Sequence, residues 1–277
     1  MVYISDFIIE AWIQEDIGYF DLTTTECGIA DKKASLKIVS RDRCVVCASE
    51  EAARVFGKLG ADADLFIKSG TKIEPETTIL SVKGTARQIH LGWRVSQNIL
   101  SFASTIATKT NHLVTLAREE NPDILIASTR KSDPGTKSLA VKAVLSGGGV
   151  IHRLGLSKTF LMFEEHMKFF GSREEAAKKL SNIKAHLKEK KLTVEVKNIA
   201  DALFFAPFAD MLQLDKLTPN DIKKIKEQTK NITLIATGGI TPENIKDYVR
   251  AGADLIVASW VYRNDKSIDF DIKIEPI

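Results

Sequence analysis

The chain has 277 residues, 44% of them hydrophobic and 27% charged, enough to bury a full core as one large or two smaller domains. Its net charge of +3 is small and its Lys and Arg are spread along the chain, which excludes a basic nucleic-acid-binding stripe. No apolar run approaches the roughly 20 residues that a membrane span needs, and three cysteines, Cys27, Cys44 and Cys47, are too few for a disulfide framework and point to a reducing cytoplasm.

Residues 1–16 mix apolar positions with Asp6, Glu10, Glu15 and Asp16 and lack a basic flank, so they do not read as a signal peptide. Residues 35–40, 44–48, 64–68 and 77–83 are short and rich in β-formers, separated by turn-like Arg41-Asp42, Lys68-Ser69-Gly70 and Glu74-Pro75. They predict the strands of a small N-terminal α+β unit, sandwich-like in build. Cys44-Val45-Val46-Cys47 has the spacing of a redox or metal pair, but in a strand its cysteines point to opposite faces and no second pair completes a ligand set; packing is the better reading.

Between residues 87 and 120 no proline occurs, and Trp93, Asn98, Phe102, Ile106, Leu113 and Leu116 recur at helical intervals, which predicts one long helix or two. After Asp123 the pattern becomes β/α alternation, with short apolar strands at 124–128, 192–196, 211–214, 232–236 and 255–258. The fold class is therefore α/β: an N-terminal α+β domain over residues 1–110, then a (β/α) barrel, incomplete or open, over 111–263, with 264–277 free to pack back on the first domain. A dense basic helix over 174–191, with Glu174, Glu175 and Glu189 among its lysines, reads as a solvated face.

In such barrels reactive groups sit at the C-terminal ends of strands. The first barrel strand ends in Thr129-Arg130-Lys131-Ser132-Asp133-Pro134-Gly135, and two adjacent cations are costly unless an anion joins them; otherwise both are solvated loop residues. Ser146-Gly147-Gly148-Gly149 leads into His152-Arg153, a second cationic pair beside glycines that either let backbone approach a ligand or form a plain loop. Glu195 and Asp215 stand at later strand ends, where carboxylates suit ribose hydroxyls, Mg²⁺, or positive charge at a sugar carbon, or else pair structurally with nearby cations. Thr237-Gly238-Gly239-Ile240-Thr241-Pro242 predicts a helix N-terminus, with Thr241 as cap and Pro242 at the first helical position, and hence a phosphate cup or a simple capped turn.

Taken together, these motifs resemble the nicotinate-nucleotide pyrophosphorylase (quinolinate phosphoribosyltransferase) family of type II phosphoribosyltransferases. The likeness runs from Glu15-Asp16-Ile17-Gly18 and Asp21-Leu22-Thr23, through Arg94, Asn98 and Ile106-Ala107-Thr108, to Thr129-Arg130-Lys131, Pro134-Gly135, Gly147-Gly148-Gly149, His152-Arg153, Val194-Glu195-Val196, Leu214-Asp215 and Gly238-Gly239. It implies transfer of phosphoribosyl from phosphoribosyl pyrophosphate, with Mg²⁺, to a pyridine dicarboxylate. It also implies that Arg94, Thr129, Arg130, Lys131, His152 and Arg153 bind the anionic substrates, Arg94 in a homodimer partner's site, that Thr237, Gly238 and Gly239 hold phosphate, and that Glu195 and Asp215 face ribose and metal.

Three departures bear on the acceptor. Where the family has Leu-Ile-Lys-Asp-Asn-His, this chain reads Leu161-Met162-Phe163-Glu164-Glu165-His166, so Phe163 replaces the lysine that meets a substrate carboxylate. Loss of such a charge-assisted bond costs about 2–5 kcal/mol. Lys216 follows the aspartate where the family has Asn, and Val257-Ala258-Ser259 replaces its Ser-x-Gly. With Thr136-Lys137, Lys142-Ala143-Val144 and Leu154-Gly155-Leu156-Ser157, these departures resemble the ModD branch, proteins encoded with molybdenum transport systems. The expectation is a phosphoribosyltransferase whose heteroaromatic acceptor is not quinolinate. The alternative is a non-catalytic protein that binds a nucleotide or oxyanion.

Overall fold

The computed structural model describes residues 2–263 and 266–277. They form two compact units: residues 1–111, 132–148 and 264–277 in the first, and 112–131 and 149–263 in the second. Residues 132–148, expected within the barrel, thus belong to the first unit. Positions 264 and 265 of the expected C-terminal segment lie outside the described residues.

The first unit opens with α1 (Asp6–Ile17) and α2 (Leu22–Glu26), the latter capped by the Asp21 carboxylate, which accepts the Thr24 N–H at 3.0 Å. β1 (Lys33–Ser40), β2 (Cys44–Val45), α3 (Ser49–Lys58), β3 (Asp62–Leu65), β4 (Lys72–Ile73) and β5 (Thr78–Thr85) follow. β1 lies between β5 and a C-terminal strand, Phe270–Pro276, and β3 closes the antiparallel sheet at the far side of β5. Along β1, Leu36 and Ile38 are buried and Lys37 between them is exposed, so one face covers a core with Phe56, Ile79, Leu80 and Phe270. The expected strand over 44–48 is only two residues long and pairs with β4, whose own two residues carry too little pattern to be read from sequence.

A single unbroken helix, α4 (Ala86–Arg118), settles the choice between one helix and two. It is followed in this unit by α5 (Lys137–Ser146), which buries Leu139, Ala140, Ala143 and Val144. Close packing after α5 requires glycine: a Cβ on Gly147 would stand 2.4 Å from the Ala107 carbonyl oxygen and 2.7 Å from Thr110 Cβ. The first glycine of the triplet is therefore a helix-packing residue. Cys44 and Cys47 are both buried, and burial pushes the Cys47 thiol up to about 11, so the pair is inert packing, as its spacing in a strand suggests.

This unit contains a buried charge cluster. Lys142 of α5, 7% exposed, donates to Glu51 at 2.5 Å and to Glu50 at 2.9 Å, and Glu51 is 3% exposed. Burial pushes the Glu50 carboxyl up, but hydrogen bonds from the Ser69 hydroxyl and N–H, joined by Lys142, outweigh it and hold the group at about 2.

The second unit is an open seven-stranded parallel sheet: β6 (Leu125–Ser128), β7 (Val150–Ile151), β8 (Phe160–Met162), β9 (Leu192–Val196), β10 (Met211–Asp215), β11 (Thr233–Thr237) and β12 (Leu255–Ala258). Its order is β7-β6-β12-β11-β10-β9-β8, with ends that do not pair, which is the open barrel expected. Helices α6 (Glu164–Met167), α7 (Arg173–His186), α8 (Ile199–Phe205), α9 (Pro219–Gln228) and α10 (Ile245–Arg250) connect the strands. Their N-termini are specified locally: Ser172, Asn198 and Thr218 accept the N–H groups of Glu175, Asp201 and Asp221. The basic helix stops at His186 rather than 191, because the chain must turn back before β9 begins at Leu192. Leu192, Val194, Leu212, Leu214, Leu234, Ala236 and Ile256 are buried in one core with Leu180, Ile222 and Ile245 of the helices.

Removing one partner of a buried ion pair leaves the other charge unpaired, so Lys142→Met is expected to lower the unfolding free energy by about 3 kcal/mol in urea titration. Because the Glu50 carboxyl is depressed, its contribution is complete above pH 4.5 and fades as pH falls toward 2, and Glu50→Gln should lose that part of the acid transition. A Lys142→Met variant as stable as the parent would contradict this account.

Candidate active site

A cavity of about 540 Å³ opens at the C-terminal ends of the parallel strands. It is lined by Thr129, Arg130, Lys131, His152, Arg153, Leu161, Phe163, Glu165, Glu195, Gln213, Asp215, Thr237 and Val257. Strand register places these groups. Glu195 is paired with Gln213, and Asp215 with Thr237, which in turn is paired with Val257. Side chains at matched positions of parallel neighbours share a face, so the rows end side by side at the mouth.

One wall is cationic. Arg130 and Lys131 follow the end of β6, where the Thr129 hydroxyl accepts the Lys131 N–H at 3.2 Å, and His152 and Arg153 follow β7. The guanidinium Nε of Arg153 is buried and has no hydrogen-bond partner. Burial, together with the charge of Arg130 beside it, pushes Arg153 below the ordinary arginine range, the sign of crowded cations with no anion between them.

The opposite wall is acidic. Glu195 is pushed above the usual carboxylate range, first by burial and then by the charges of Asp215 and Glu165, against the lowering effect of a hydrogen bond from Gln213. Gln213, 7% exposed, bridges the two walls. Its Nε2 donates to Glu195, and its Oε1 faces His152 Nε2 at 3.2 Å. With the amide oriented in that sense, His152 donates through Nε2, and burial lowers its imidazole below the ordinary range so that it is neutral at pH 7.

The Thr237–Gly239 segment differs from expectation. Regular helix α10 starts at Ile245, three residues beyond Pro242, and the turn before it already carries the helical bond from the Ile245 N–H to the Thr241 carbonyl at 3.1 Å. Asn244 ties the loop together, its Oδ1 accepting the Thr241 N–H at 2.9 Å and its Nδ2 donating to the Gly239 carbonyl at 3.0 Å. Any phosphate here would meet the backbone of Gly238 and Gly239 rather than a helix end, since the Thr237 hydroxyl donates to the Val257 carbonyl at 3.1 Å. Gly238 has φ of +87°, and a Cβ on it would stand 2.7 Å from Asp215 Oδ1 and 2.9 Å from the Lys216 nitrogen. Lys216 itself has φ of +59° while its N–H donates to the Thr237 carbonyl at 2.9 Å, a left-handed conformation that asparagine accepts and lysine resists.

Of the residues singled out from sequence, Thr129, Arg130, Lys131, His152, Arg153, Phe163, Glu195, Asp215 and Thr237 line this one cavity, and Gly238 abuts Asp215. Arg94 does not line it. That side chain lies on α4, with its guanidinium 4.0 Å from the Trp93 ring centroid and bonded to Gln97 Oε1 at 2.7 Å. Sequence reading missed Gln213 and Glu165 as cavity residues; the period-2 relation of Gln213 to Asp215 was the available signal. Among the described residues no group of three or more His, Cys, Asp and Glu could hold a metal by itself. The two hard oxygen donors Glu195 and Asp215 nonetheless fit Mg²⁺ of the kind that shares its shell with substrate phosphates.

An open parallel βα sheet with cations and carboxylates lining one cavity at its strand ends defines an α/β barrel protein with a candidate small-ligand site. Residues 21–104 match the quinolinate phosphoribosyl transferase N-terminal domain and residues 106–273 match the C-terminal domain of the same family, and the chain belongs to that family. It is 36% identical over 256 residues to a Rhodobacter capsulatus protein named "Putative pyrophosphorylase ModD", covering 91% of this chain and 98% of that one. An Archaeoglobus fulgidus protein named "Probable nicotinate-nucleotide pyrophosphorylase [carboxylating]" is 31% identical over 214 residues, 75% of this chain and 81% of that one. The crystal structure of nicotinate-nucleotide pyrophosphorylase from Ehrlichia chaffeensis superposes with a TM-score of 0.90 at 26% identity, covering 99% of this chain and 100% of that one.

Replacing Lys216 by asparagine relieves the left-handed backbone. Lys216→Asn is expected to raise the unfolding free energy by about 1 kcal/mol, read as a higher urea midpoint at unchanged slope. A lower midpoint would mean that the lysine side chain makes a stabilising contact that outweighs the strain.

Proposed function

We propose that the protein is a phosphoribosyltransferase that joins phosphoribosyl from phosphoribosyl pyrophosphate to a heteroaromatic acceptor other than quinolinate, releasing pyrophosphate. The observation that carries this reading is the partner-less buried Nε of Arg153 crowded by Arg130, across one cavity from Glu195 and Asp215. Crowded cations call for a polyanion, and carboxylates opposite them suit the positive charge that grows at the anomeric carbon as pyrophosphate departs.

In this reading Arg130, Lys131 and Arg153 grip phosphate oxygens, with Thr129 and neutral His152 as hydrogen-bonding neighbours. The Gly238 and Gly239 backbone, beside Thr237, receives the remaining phosphate. Glu195 and Asp215 face the ribose and would hold Mg²⁺ together with the phosphates; when bound, the ion neutralises charge on the leaving pyrophosphate. Arg94 serves the site of a partner subunit in a homodimer. Phe163 lies where a second acceptor carboxylate would need a cation, which is the reason for setting quinolinate aside. The ModD resemblance supports a cytoplasmic role connected with molybdenum supply.

Calorimetric titration with phosphoribosyl pyrophosphate and Mg²⁺, followed by pyrophosphate release on addition of acceptors, tests the reading. Arg130→Ala and Glu195→Ala are each expected to lower kcat/KM by about 100-fold or more. Activity should fall with acid through a limb above the ordinary glutamate value of 4.5, because the Glu195 carboxyl is raised and must be ionised. Tight binding with no pyrophosphate released from any acceptor would favour a non-catalytic binding protein instead.

A further inference from the structure

Within the cavity, the side formed by the end of β8 and the start of α6 differs in chemistry from the cationic wall. Phe163 and Glu165 both line the cavity there. The phenylalanine is held from behind: the His166 ring meets it edge-on, centroids 4.2 Å apart, and His166 Nδ1 accepts the Phe163 N–H at 3.4 Å. Its ring is therefore positioned to cover the face of a planar ligand.

Two neighbouring glutamates have divided fates. Glu164 is engaged by Lys197 at 2.6 Å and by Lys168 at 3.4 Å. Glu165 makes no hydrogen bond or ion pair among the described residues, and its charge is felt at Glu195, on the strand paired with β8, and at Lys197, whose ammonium is bonded to Glu164. The lining thus carries three cations, Arg130, Lys131 and Arg153, against three carboxylates, Glu165, Glu195 and Asp215. A bound phosphoribosyl pyrophosphate occupies the cations. Little positive charge then remains for a dicarboxylate ring, and a carboxylate placed beside Glu165 would be repelled.

We infer that the acceptor is a heteroaromatic ring that presents an N–H donor, an amine or amide substituent, to Glu165 while its face packs on Phe163. Glu165 is then a specificity-determining residue. Ionised carboxylates only accept hydrogen bonds, and an N–H group supplies what Glu165 lacks. In the transfer, the ring-nitrogen lone pair forms the bond to the anomeric carbon as the carbon–oxygen bond to pyrophosphate breaks. The electron pair leaves with pyrophosphate, and no carboxylate need be lost. This inference rests on the phosphoribosyl transfer proposed above.

Quinolinate and two pyridines that each exchange one of its carboxylates for an amine, 2-aminonicotinate and 3-aminopicolinate, test it. Binding to the protein is measured by calorimetry, and pyrophosphate release is followed with phosphoribosyl pyrophosphate and Mg²⁺. At least one amino ring is expected to be preferred over quinolinate by about tenfold or more in binding, and in kcat/KM as well. Glu165→Asn should erase most of that preference, and Phe163→Lys should raise quinolinate affinity. Equal or better use of quinolinate by the parent, no binding of any of the three rings, or an unchanged preference in Glu165→Asn would overturn the assignment. Phosphoribosyl pyrophosphate binding, titrated separately, distinguishes the two failures: if it binds and the preferences are wrong, only the acceptor class falls, and if it does not bind, the transferase reading falls too.

Discussion

Gln213 holds together two walls of opposite charge, and the chemistry of the cavity depends on that bridge. Its amide has one donor end and one acceptor end, and both are used, the donor on Glu195 and the acceptor toward His152. A buried amide fixed at both ends sets the histidine tautomer, while burial and then the charge of Arg153 hold the imidazole below its ordinary range against the raising effect of that hydrogen bond. It also keeps the raised carboxyl of Glu195 oriented at the strand end.

The bridge exists because parallel strands deliver their ends in register. Glu195 and Gln213 are matched on β9 and β10, and Asp215 and Thr237 on β10 and β11, so one geometric rule sets four cavity positions. The rows behind them are buried Leu, Ile and Val, which fix the register because a one-residue slip would drive polar ends into the core. Gly238 and Lys216 show the strain that accumulates at the mouth. The glycine is required by the closeness of Asp215, and the lysine tolerates a left-handed backbone to keep its N–H on Thr237.

Much of this was legible in the sequence, for physical reasons that differ by element. The bounds of β12 follow from four consecutive apolar residues, and those of β9 from Leu192, Thr193, Val194 and Val196, with Glu195 alone interrupting the run. Adjacent Arg130-Lys131 and the Arg153 beside His152 mark the cationic wall, although burial leaves His152 neutral, so that Arg153 alone supplies the charge of the second pair. Two-residue strands such as β4 and β7 carry no period and stayed invisible. The regular part of the helix predicted after Gly239 begins only at Ile245, because the turn from Thr241 is tied by the Asn244 amide back to the Thr241 N–H and the Gly239 carbonyl. Residues 132–148 were assigned to the barrel by their position between strands. Their grouping with the first unit follows from the buried face of α5, from Lys142 between Glu50 and Glu51, and from Gly147, none of which adjacency in sequence reveals.

In the proposed function, the cations at the ends of β6 and β7 and the carboxylates at the ends of β9 and β10 embrace one phosphoribosyl pyrophosphate. A crystal of the protein grown with phosphoribosyl pyrophosphate and Mg²⁺ tests it most directly. Pyrophosphate oxygens are expected on Arg130, Lys131 and the now-partnered Nε of Arg153, with the ribose beside Glu195 and Asp215. Phosphoribosyl pyrophosphate bound elsewhere, or in this cavity with Arg153 Nε still unpaired and the ribose turned away from both carboxylates, would contradict it.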